Sequence, residues 1–491
     1  MYIFEFLSKF ESYLVGGAIR DFFLSKKITD IDIVIIEDLE NFKKIIKSLS
    51  TSFIIFPLDK ERNIYRVTIN GKTIDLTNSE NLIEDLKKRD FTINALAIKL
   101  SDCNIIEKKD FFKLKIKKKK LIDNFNSVYD INKKNLKTIS KDSIKEDPLR
   151  ILRAFRFFAI DSFKINLNLK KEIRENKSLL VNVSKERIRE ELIKIFKSDK
   201  VYETIKKMIE TEVIFEIFPE LKKQIGCAKV YYGKNGVISH TLKVIKRLDM
   251  FFENPKLYLD IPKKIEEKIE KEKYLIKLSG LLHDIAKPHT ARIIDNRLRF
   301  FGHEEKGGEI SEKYLREYRF SNDEIKYIKT IISSHLRIGN IAHNDNVTNK
   351  AILRIFYDLK EYALGLIILS WADYSSHISE KKLITIREKI KEKPFQIKRQ
   401  LPKSGFRKTL RFLQVVNMII KHYTDYEKKA NIKPIVDGYT VMEILKIPPS
   451  KLIGDILKKL INLQLEGKIK TKDEAINYIK SLKIKKLEIK K

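Results

Sequence analysis

Residues 13–35 read YLVGGAIRDFFLSKKITDIDIVI. The apolar pair Leu14-Val15 leads into Gly16-Gly17 and then a helical run, so backbone N–H groups at a helix start could hold phosphate oxygens. A Gly-Gly pair alone is a weak signal. The run DIDIVII (30–36) alternates and reads as a strand. Residues i and i+2 of a strand share a face about 6 to 7 Å apart. Asp30 and Asp32 therefore present two carboxylates side by side, with Ile31, Ile33 and Val34 anchoring the strand in the core. Acids at that spacing can bind a pair of Mg²⁺ ions. The bland alternative is a solvated strand edge.

Further along, YRVTI (65–69) and KTIDL (72–76) are joined by Asn70-Gly71, the strongest short hairpin signal. Asp75 could then supply a third carboxylate from an adjacent strand. Residues 13–76 are mixed α/β, and after about residue 80 the pattern turns almost wholly helical, confining the sheet to the N-terminal quarter. Amphipathic spacing is plain in DPLRILRAFRFFA (147–159) and KERIREELIKIF (185–196). Asp147 and Pro148 read as a helix cap and first turn. Arg150, Arg153 and Arg156, three apart, make a basic stripe, while Phe155 and Phe157 read as core.

Five segments decide the context: LVGGAIRD (14–21), DID (30–32), RDFTINALAI (89–98), EDPLRILRAFRF (146–157) and ERIREEL (186–192). In this order, over about residues 13–225, they closely resemble the bacterial-type (class II) tRNA nucleotidyltransferase and poly(A) polymerase family. The resemblance implies Mg²⁺ ligands at Asp30 and Asp32 and a triphosphate-contacting turn at Gly16, Gly17 and Arg20, closed by Asp21. It implies triphosphate and ribose contacts from Arg89, Asp90 and Asn94, and selection of the incoming base by Asp147 and Arg150, with Arg153 and Arg156 expected to bind the nucleotide beside them. A carboxylate accepts from an exocyclic amine while a guanidinium donates to the adjacent acceptor. C and A offer that order, and U and G reverse it, leaving a buried polar group unmatched. The implied reaction is template-free attack of an RNA 3′ hydroxyl on the α-phosphate of CTP or ATP, assisted by two metal ions.

All eight histidines lie between His240 and His422, which suggests a second chemistry on the same chain. SHTLKV (239–244), LLHDIAKP (281–288), FGHEEKG (301–307), SSHLR (333–337) and WADYSS (371–376) recur in helical contexts, and imidazole with carboxylate suits a borderline transition metal. The order resembles the HD phosphohydrolase superfamily. That resemblance assigns His240, His283, Asp284 and Asp373 as the minimal ligand set for a divalent metal. His303 and His335 match the further histidines of two-metal members. It implies hydrolysis of 2′,3′-cyclic or terminal RNA phosphates, with a metal-bound structural domain as the alternative. His289, His343, His377 and His422 have no motif partners and read as surface histidines.

The fold expected is an α/β, polymerase-β-like nucleotidyltransferase domain (1–125), followed by a helical neck that selects the base and binds RNA (126–225). An HD metal-binding domain (226–390) and a C-terminal helical region (391–491) complete it. Residues 435–479 resemble the C-terminal region of HD-containing nucleotidyltransferases, with Ile453-Gly454-Asp455 and Glu466-Gly467 matching, and are assigned to RNA or body packing. Lys- and Glu-rich stretches near 255–273 and 380–400 read as exposed helices or linkers, and the tail from Lys485 is expected to fray.

The chain has 491 residues, room for roughly three domains of about 150. Its net charge of +34 and pI near 9.7 suit a polyanionic partner, here tRNA, although a single run such as Lys117–Lys120 reads equally as a solvated face. Two cysteines, Cys103 and Cys227, exclude a disulfide framework and a cysteine-rich zinc site. There is no signal-peptide pattern and no stretch of about 18 uncharged apolar residues, so a cytoplasmic protein without membrane partners is expected.

One departure from the family pattern bears on the product. Members that add all of CCA carry about twenty residues between the strand equivalent to KTIDLT and the EDLKKRDFTINA segment, a flexible loop needed for the final A. Here only NSENLI (78–83) intervenes. A loop this short resembles enzymes that add the two cytidines and leave the A to a separate A-adding enzyme. The function expected is addition of C, C and possibly A to the tRNA 3′ end; the alternatives are a CC-adding specialist, a poly(A) polymerase, and an HD phosphohydrolase with a degenerate RNA-binding N-terminal part. Intact Asp30 and Asp32 argue against the last.

Overall fold

A computed structural model describes residues 2–59, 63–344, 347–392, 405–429, 434–465 and 467–482. Glu466, the part of the Lys/Glu-rich stretch beyond residue 392, and the tail from Lys485 lie outside the described residues. The chain divides into two compact units, Met1–Lys222 with Glu317–Arg319, and Lys223–Arg316 with Phe320–Lys491.

The first unit is built on a six-stranded sheet: β1 (Ser12–Val15), β2 (Asp30–Ile36), β3 (Ile55–Asp59), β4 (Ile64–Ile69), β5 (Lys72–Ser79) and β6 (Ala97–Lys99), in the order β3-β4-β5-β2-β1-β6. Strands β2 and β5 are parallel and the other pairs antiparallel. Alternation in β2 sends Ile31, Ile33 and Ile35 to one buried face. The helix Leu39–Leu49, capped by Asp38 on the Asn41 N–H, buries Phe42, Ile45, Ile46 and Leu49 at helical spacing. Asn70 and Gly71 both take positive φ (50° and 75°), the two-residue turn that suits the twist of a hairpin.

The chain past residue 80 is less uniformly helical than its pattern suggests. Cys103–Glu107 pairs with Phe112–Ile116, a hairpin in which Phe112 and Leu114 are buried while Lys113 and Lys115 face water. Alternation with lysine on the solvent side is still a strand signal, masked by the lysine run that follows. Short pairs Asn135–Leu136 with Lys164–Ile165, and Arg292–Ile294 with Arg297–Arg299, add two more ribbons. The helices Arg150–Asp161, Lys185–Lys197 and Val201–Glu210 bury their apolar faces, Phe155 and Phe157 completely. Asp147 is not an N-cap: the helix begins at Arg150 after Leu149, and Asp147 accepts the Leu149 N–H.

Among its described residues the second unit is helical apart from the ribbon at 292–299. Its centre is the helix Ala363–Ser375, apolar on nearly every side, packed by Val237–Glu253 and Lys263–Leu282 around Trp371, Phe251 and Leu248. Gly280 permits the close crossing, since a Cβ there would stand 2.5 Å from Leu248 Cδ1. The Lys/Glu-rich start of Lys263–Leu282 is not a free solvent helix, because Ile265 and Ile269 are buried and everything from Leu275 to Leu282 is buried too. Gly438–Leu445, Lys451–Leu465 and Lys472–Ser481 enclose a small core of Val441, Ile453, Leu460 and Ile479. No helix of the described residues is long and apolar enough to cross a membrane.

Candidate functional site

β2 lies between β1 and β5, so its acids stand on an interior strand and not on a sheet edge. Asp32 is level with Asp75 on one side and with Val15 on the other. Burial raises the Asp32 pKa, with Asp75 and Asp30 adding to the rise and Arg89 opposing it. Asp30 is exposed and accepts hydrogen bonds from the hydroxyls of Thr29 (2.9 Å) and Thr73 (2.5 Å). Asp75 is gripped by both arms of Arg66 at 2.7 Å. A crowded, partly desolvated set of carboxylate oxygens is a hard donor set that a divalent cation would relieve. Gly16 begins the helix Gly17–Phe23 at φ +73°, and a Cβ there would collide with Arg89 Nη1 and sit 3.3 Å from Asp32 Oδ2.

Beside these acids opens a cavity of about 260 Å³. Gly17, Arg20, Asp32, Arg89, Asp90 and Asn94 line it, and the helical segment contributes Asp147, Arg150, Arg153 and Arg187. A hydrogen-bond chain sets the inner wall. Arg20 donates to Asp21 (2.9 Å) and Asn94 (2.6 Å), Asn94 donates to Asp90 (2.8 Å), and Arg153 Nε donates to Asp90 (2.8 Å). Although burial works to raise the Asp90 pKa, Arg153, Asn94 and the Phe91 N–H hold it down at about 2. Asp90 is thus a fixed anion that aims two cavity residues.

The arginines do not form a free basic stripe. Arg150 donates to the Ser143 carbonyl and hydroxyl, to Glu146 and to the Lys88 carbonyl; Arg153 holds Asp90; Arg156 pairs with Glu191 (2.7 Å) over the Phe157 ring and lies outside the cavity lining. Asp147 and Arg150 both line the cavity, but the guanidinium on Asp147 belongs to Arg187, at 2.7 Å.

In the second unit His240, His283, Asp284, His303, His335 and Asp373 converge. Asp284 Oδ2 lies 3.4 Å from His240 Nε2 and 3.2 Å from His283 Nε2, and its Oδ1 lies 3.5 Å from His303 Nε2 and 3.9 Å from His335 Nε2. Asp373 is 3.0 Å from His240 Nε2. The Nδ1 atoms of His283, His303 and His335 each meet the backbone carbonyl three residues earlier (2.9, 2.6 and 2.7 Å), which fixes the proton on Nδ1 and turns an Nε2 lone pair inward. Among the described residues, His283 Nε2, His303 Nε2 and Asp284 Oδ1 are buried without a hydrogen-bond partner. Lone pairs aimed at one another in a dry pocket fit a metal ion, and N with O donors suits a transition metal. Burial, with His283 and His303 nearby, drives the His335 pKa down to about 3, which keeps its ring neutral as a ligand must be. Burial acts to raise the Asp284 pKa, but His283 and Lys287 pull it far below the carboxylate range.

Residues 12–137 match the poly A polymerase head domain, 162–225 the probable RNA and SrmB-binding site of polymerase A, and 237–378 the HD domain. A CC-adding tRNA nucleotidyltransferase of Thermus thermophilus is 24% identical over 97% of this chain and 94% of its own. An A-adding tRNA nucleotidyltransferase of Deinococcus radiodurans is 23% identical over 95% and 94%. The chain belongs to the class II tRNA nucleotidyltransferase and poly(A) polymerase family. The fold is that of a solved Thermotoga maritima CCA-adding enzyme complexed with tRNA, with a TM-score of 0.59 at 21% identity over 97% of this chain and 94% of that one.

This nucleotidyltransferase has site residues that its sequence did not disclose. Arg187 sits inside the segment ERIREEL, but only the fold brings it 2.7 Å from Asp147. Arg66 shows no signal beyond lying across the hairpin from Asp75. Lys287 donates to Asp284 (2.6 Å) and to Tyr232 Oη (2.8 Å), and Tyr232 stacks on His240. His377 is exposed as expected, yet it is not a bystander: its ring stacks on His240 at 5.1 Å and it forms a donor group with His240 and Asp373. His289 is exposed, while His343 meets the Gly339 carbonyl and Tyr374.

Proposed function

We propose that this chain adds the two cytidines of the tRNA 3′ end from CTP and stops there, a separate enzyme supplying the A. The observation that carries the reading is the junction after β5. The strand ends at Ser79 and a helix begins at Leu82, capped by Asn81 accepting from the Ile83 and Glu84 N–H groups. Glu80 and Asn81 are all that stands where CCA-adding members of the family carry their flexible loop. Two full-length relatives bear the name CC-adding tRNA nucleotidyltransferase, and 24% and 22% identity over most of both chains supports the same reading.

Asp30 and Asp32 would hold Mg²⁺, with Asp75 as a third acid. Such ions supply charge neutralisation at the triphosphate and activation of the RNA 3′ hydroxyl. That hydroxyl attacks the α-phosphate and pyrophosphate departs. Gly17 and Arg20, with Arg89, face the triphosphate side of the cavity, while Asp90 and Asn94 keep Arg20 and Arg153 in place. Asp147 accepts from the exocyclic amine of cytosine, and Arg187 or Arg150 donates to the neighbouring acceptor. A base with the reverse order leaves Asp147 facing a carbonyl. Incubating the protein with Mg²⁺, tRNA ending at the discriminator base, and CTP, ATP or both, then sequencing the 3′ ends, tests this. Products ending in CC with both nucleotides support it. CCA ends or long A tails would reject it.

A second activity, hydrolysis of RNA phosphates at the histidine–aspartate cluster, is favoured by the inward-facing lone pairs there. His283→Ala should remove it and spare nucleotide addition. Asp32→Ala should do the opposite. Loss of both activities in either variant would count against two independent sites.

A further inference from the structure

The ribbon Arg292–Ile294 with Arg297–Arg299 contributes neither to the nucleotide cavity nor to the cluster donors. Its turn, Asp295-Asn296, is left-handed at both residues (φ 50° and 57°), so the ribbon is a tight hairpin. The register sets Arg292 opposite Arg299 and Ile294 opposite Arg297. Opposed residues in an antiparallel pair share a face, and so do residues two apart. Arg292, Ile294, Arg297 and Arg299 therefore lie on one face and Ile293 and Leu298 on the other.

Three cations on so small a face repel one another, and like charges directly opposed destabilise a two-stranded ribbon. All three are exposed, and none has a hydrogen bond or ion pair among the described residues. Every other arginine whose side chain is described reaches at least one acceptor. The ribbon also grows out of the cluster at both ends. Lys287, on Asp284, precedes Arg292 by five residues, and His303 follows Arg299 by four. Phe300 lies under the Lys287 ammonium (5.7 Å), and Tyr231 Oη donates to the Leu298 carbonyl (3.0 Å). Two aromatic rings beside the ribbon remain open to solvent, Tyr231 at 53% and Phe301 at 73%.

We propose that this ribbon is a docking face for single-stranded RNA, which it leads to the histidine–aspartate cluster. Unpaired guanidiniums take the phosphates, and the open rings take unstacked bases. An acidic peptide would satisfy the arginines and leave the rings without a partner. A duplex would hide the base faces that the rings need.

The test uses the full chain and a 3′-labelled single-stranded RNA of twelve nucleotides carrying 4-thiouridine. Anisotropy titrations across a range of salt should show the R292A/R297A/R299A variant binding at least tenfold more weakly. Its log–log salt slope should be shallower by about 2, at roughly 0.7 for each phosphate no longer neutralised. The Y231A/F301A variant should bind more weakly with its slope unchanged. Photo-crosslinks should map to peptides containing Tyr231 or Phe301. All of these side chains are exposed, so folding is checked simply by unchanged Trp371 emission, and CTP addition to tRNA should be retained. Unchanged affinity and slope in the arginine variant, or crosslinks that all map elsewhere, would overturn the proposal. So would displacement of the RNA by polyglutamate of equal charge at the concentration that unlabelled RNA requires.

Discussion

Asp75 stands level with Asp32 across the parallel pair β2–β5, yet both arms of Arg66 close on its carboxylate at 2.7 Å. The three acids are therefore unequal: Asp30 accepts only from the neutral hydroxyls of Thr29 and Thr73, whereas Asp75 reaches a cation only by sharing its charge with Arg66. Asp32→Ala should bring CTP incorporation to background. A bidentate charge-assisted pair is worth roughly 1.5 to 3 kcal/mol. On that scale Arg66→Ala should lower kcat/KM by about 10- to 100-fold. Steady-state rates at saturating Mg²⁺ measure both, and an Arg66→Ala enzyme as active as the parent would remove Arg66 from the site's support.

Asp90 is buried and its pKa falls from an ordinary 3.8 to about 2, because Arg153, Asn94 and the Phe91 N–H favour the anion over the cost of burial. A depressed folded pKa gives stability that is fully present above the unfolded value and lost as pH falls through the folded one. The window here is about pH 4 to 2. The shift corresponds to roughly 2 kcal/mol at neutral pH. Asp90→Asn should lose at least that much, since it also leaves Arg153 facing a neutral amide, and the gap to the parent should narrow below pH 4. Hydrogen exchange of amides 91–95 reads this in the first unit, where the chain's single tryptophan, Trp371, does not report. A gap independent of pH would assign the loss to packing alone.

Much of this was legible from local pattern. DIDIVII alternates because β2 is half-buried at its acid end, and Asn70-Gly71 carries the positive φ that its turn demands. The cluster histidines could be named because the order of their motifs resembles the HD superfamily, which implies that ligand set. What stayed hidden depends on contacts between distant residues: Arg187 meets Asp147 across 40 positions and Ser376 meets His240 across 136. Local chemistry also concealed two ribbons. Lysines on the solvent face of Phe112–Ile116 hid its alternation, and Asp295-Asn296 is a two-residue turn without the glycine that usually advertises one.

The junction Glu80-Asn81 gives the product assignment a gain-of-function test. Inserting the flexible segment of a CCA-adding relative, about sixteen residues, between them lengthens a surface connection at an entropic cost of about 2 kcal/mol. The Asn81 cap and the helix Leu82–Lys87 are left in place. The insertion variant, given CTP and ATP, should yield tRNA ending in CCA where the parent yields CC. A folded variant that still stops at CC would show that the short junction does not set the product.

Metal removal should be visible through Trp371, which lies on the helix Ala363–Ser375 two residues before Asp373 and packs on Phe251. Without an ion, the buried Nε2 atoms of His283 and His303 and Asp284 Oδ1 face one another unsatisfied, a cost the folded state carries and the unfolded chain does not. An ion that binds only the folded cluster stabilises it by RT ln(1 + [L]/Kd), about 2.7 kcal/mol at a hundredfold excess over Kd. Chelator-treated protein should therefore unfold at lower urea by Trp371 emission, and Mn²⁺ or Co²⁺ should restore the midpoint. Asp284→Ala should abolish the restoration, because its two oxygens serve both histidine pairs. His335→Ala should weaken it only partly, leaving the His240–His283–Asp284 group intact. Equal restoration in the Asp284→Ala variant would place the stabilising ion elsewhere.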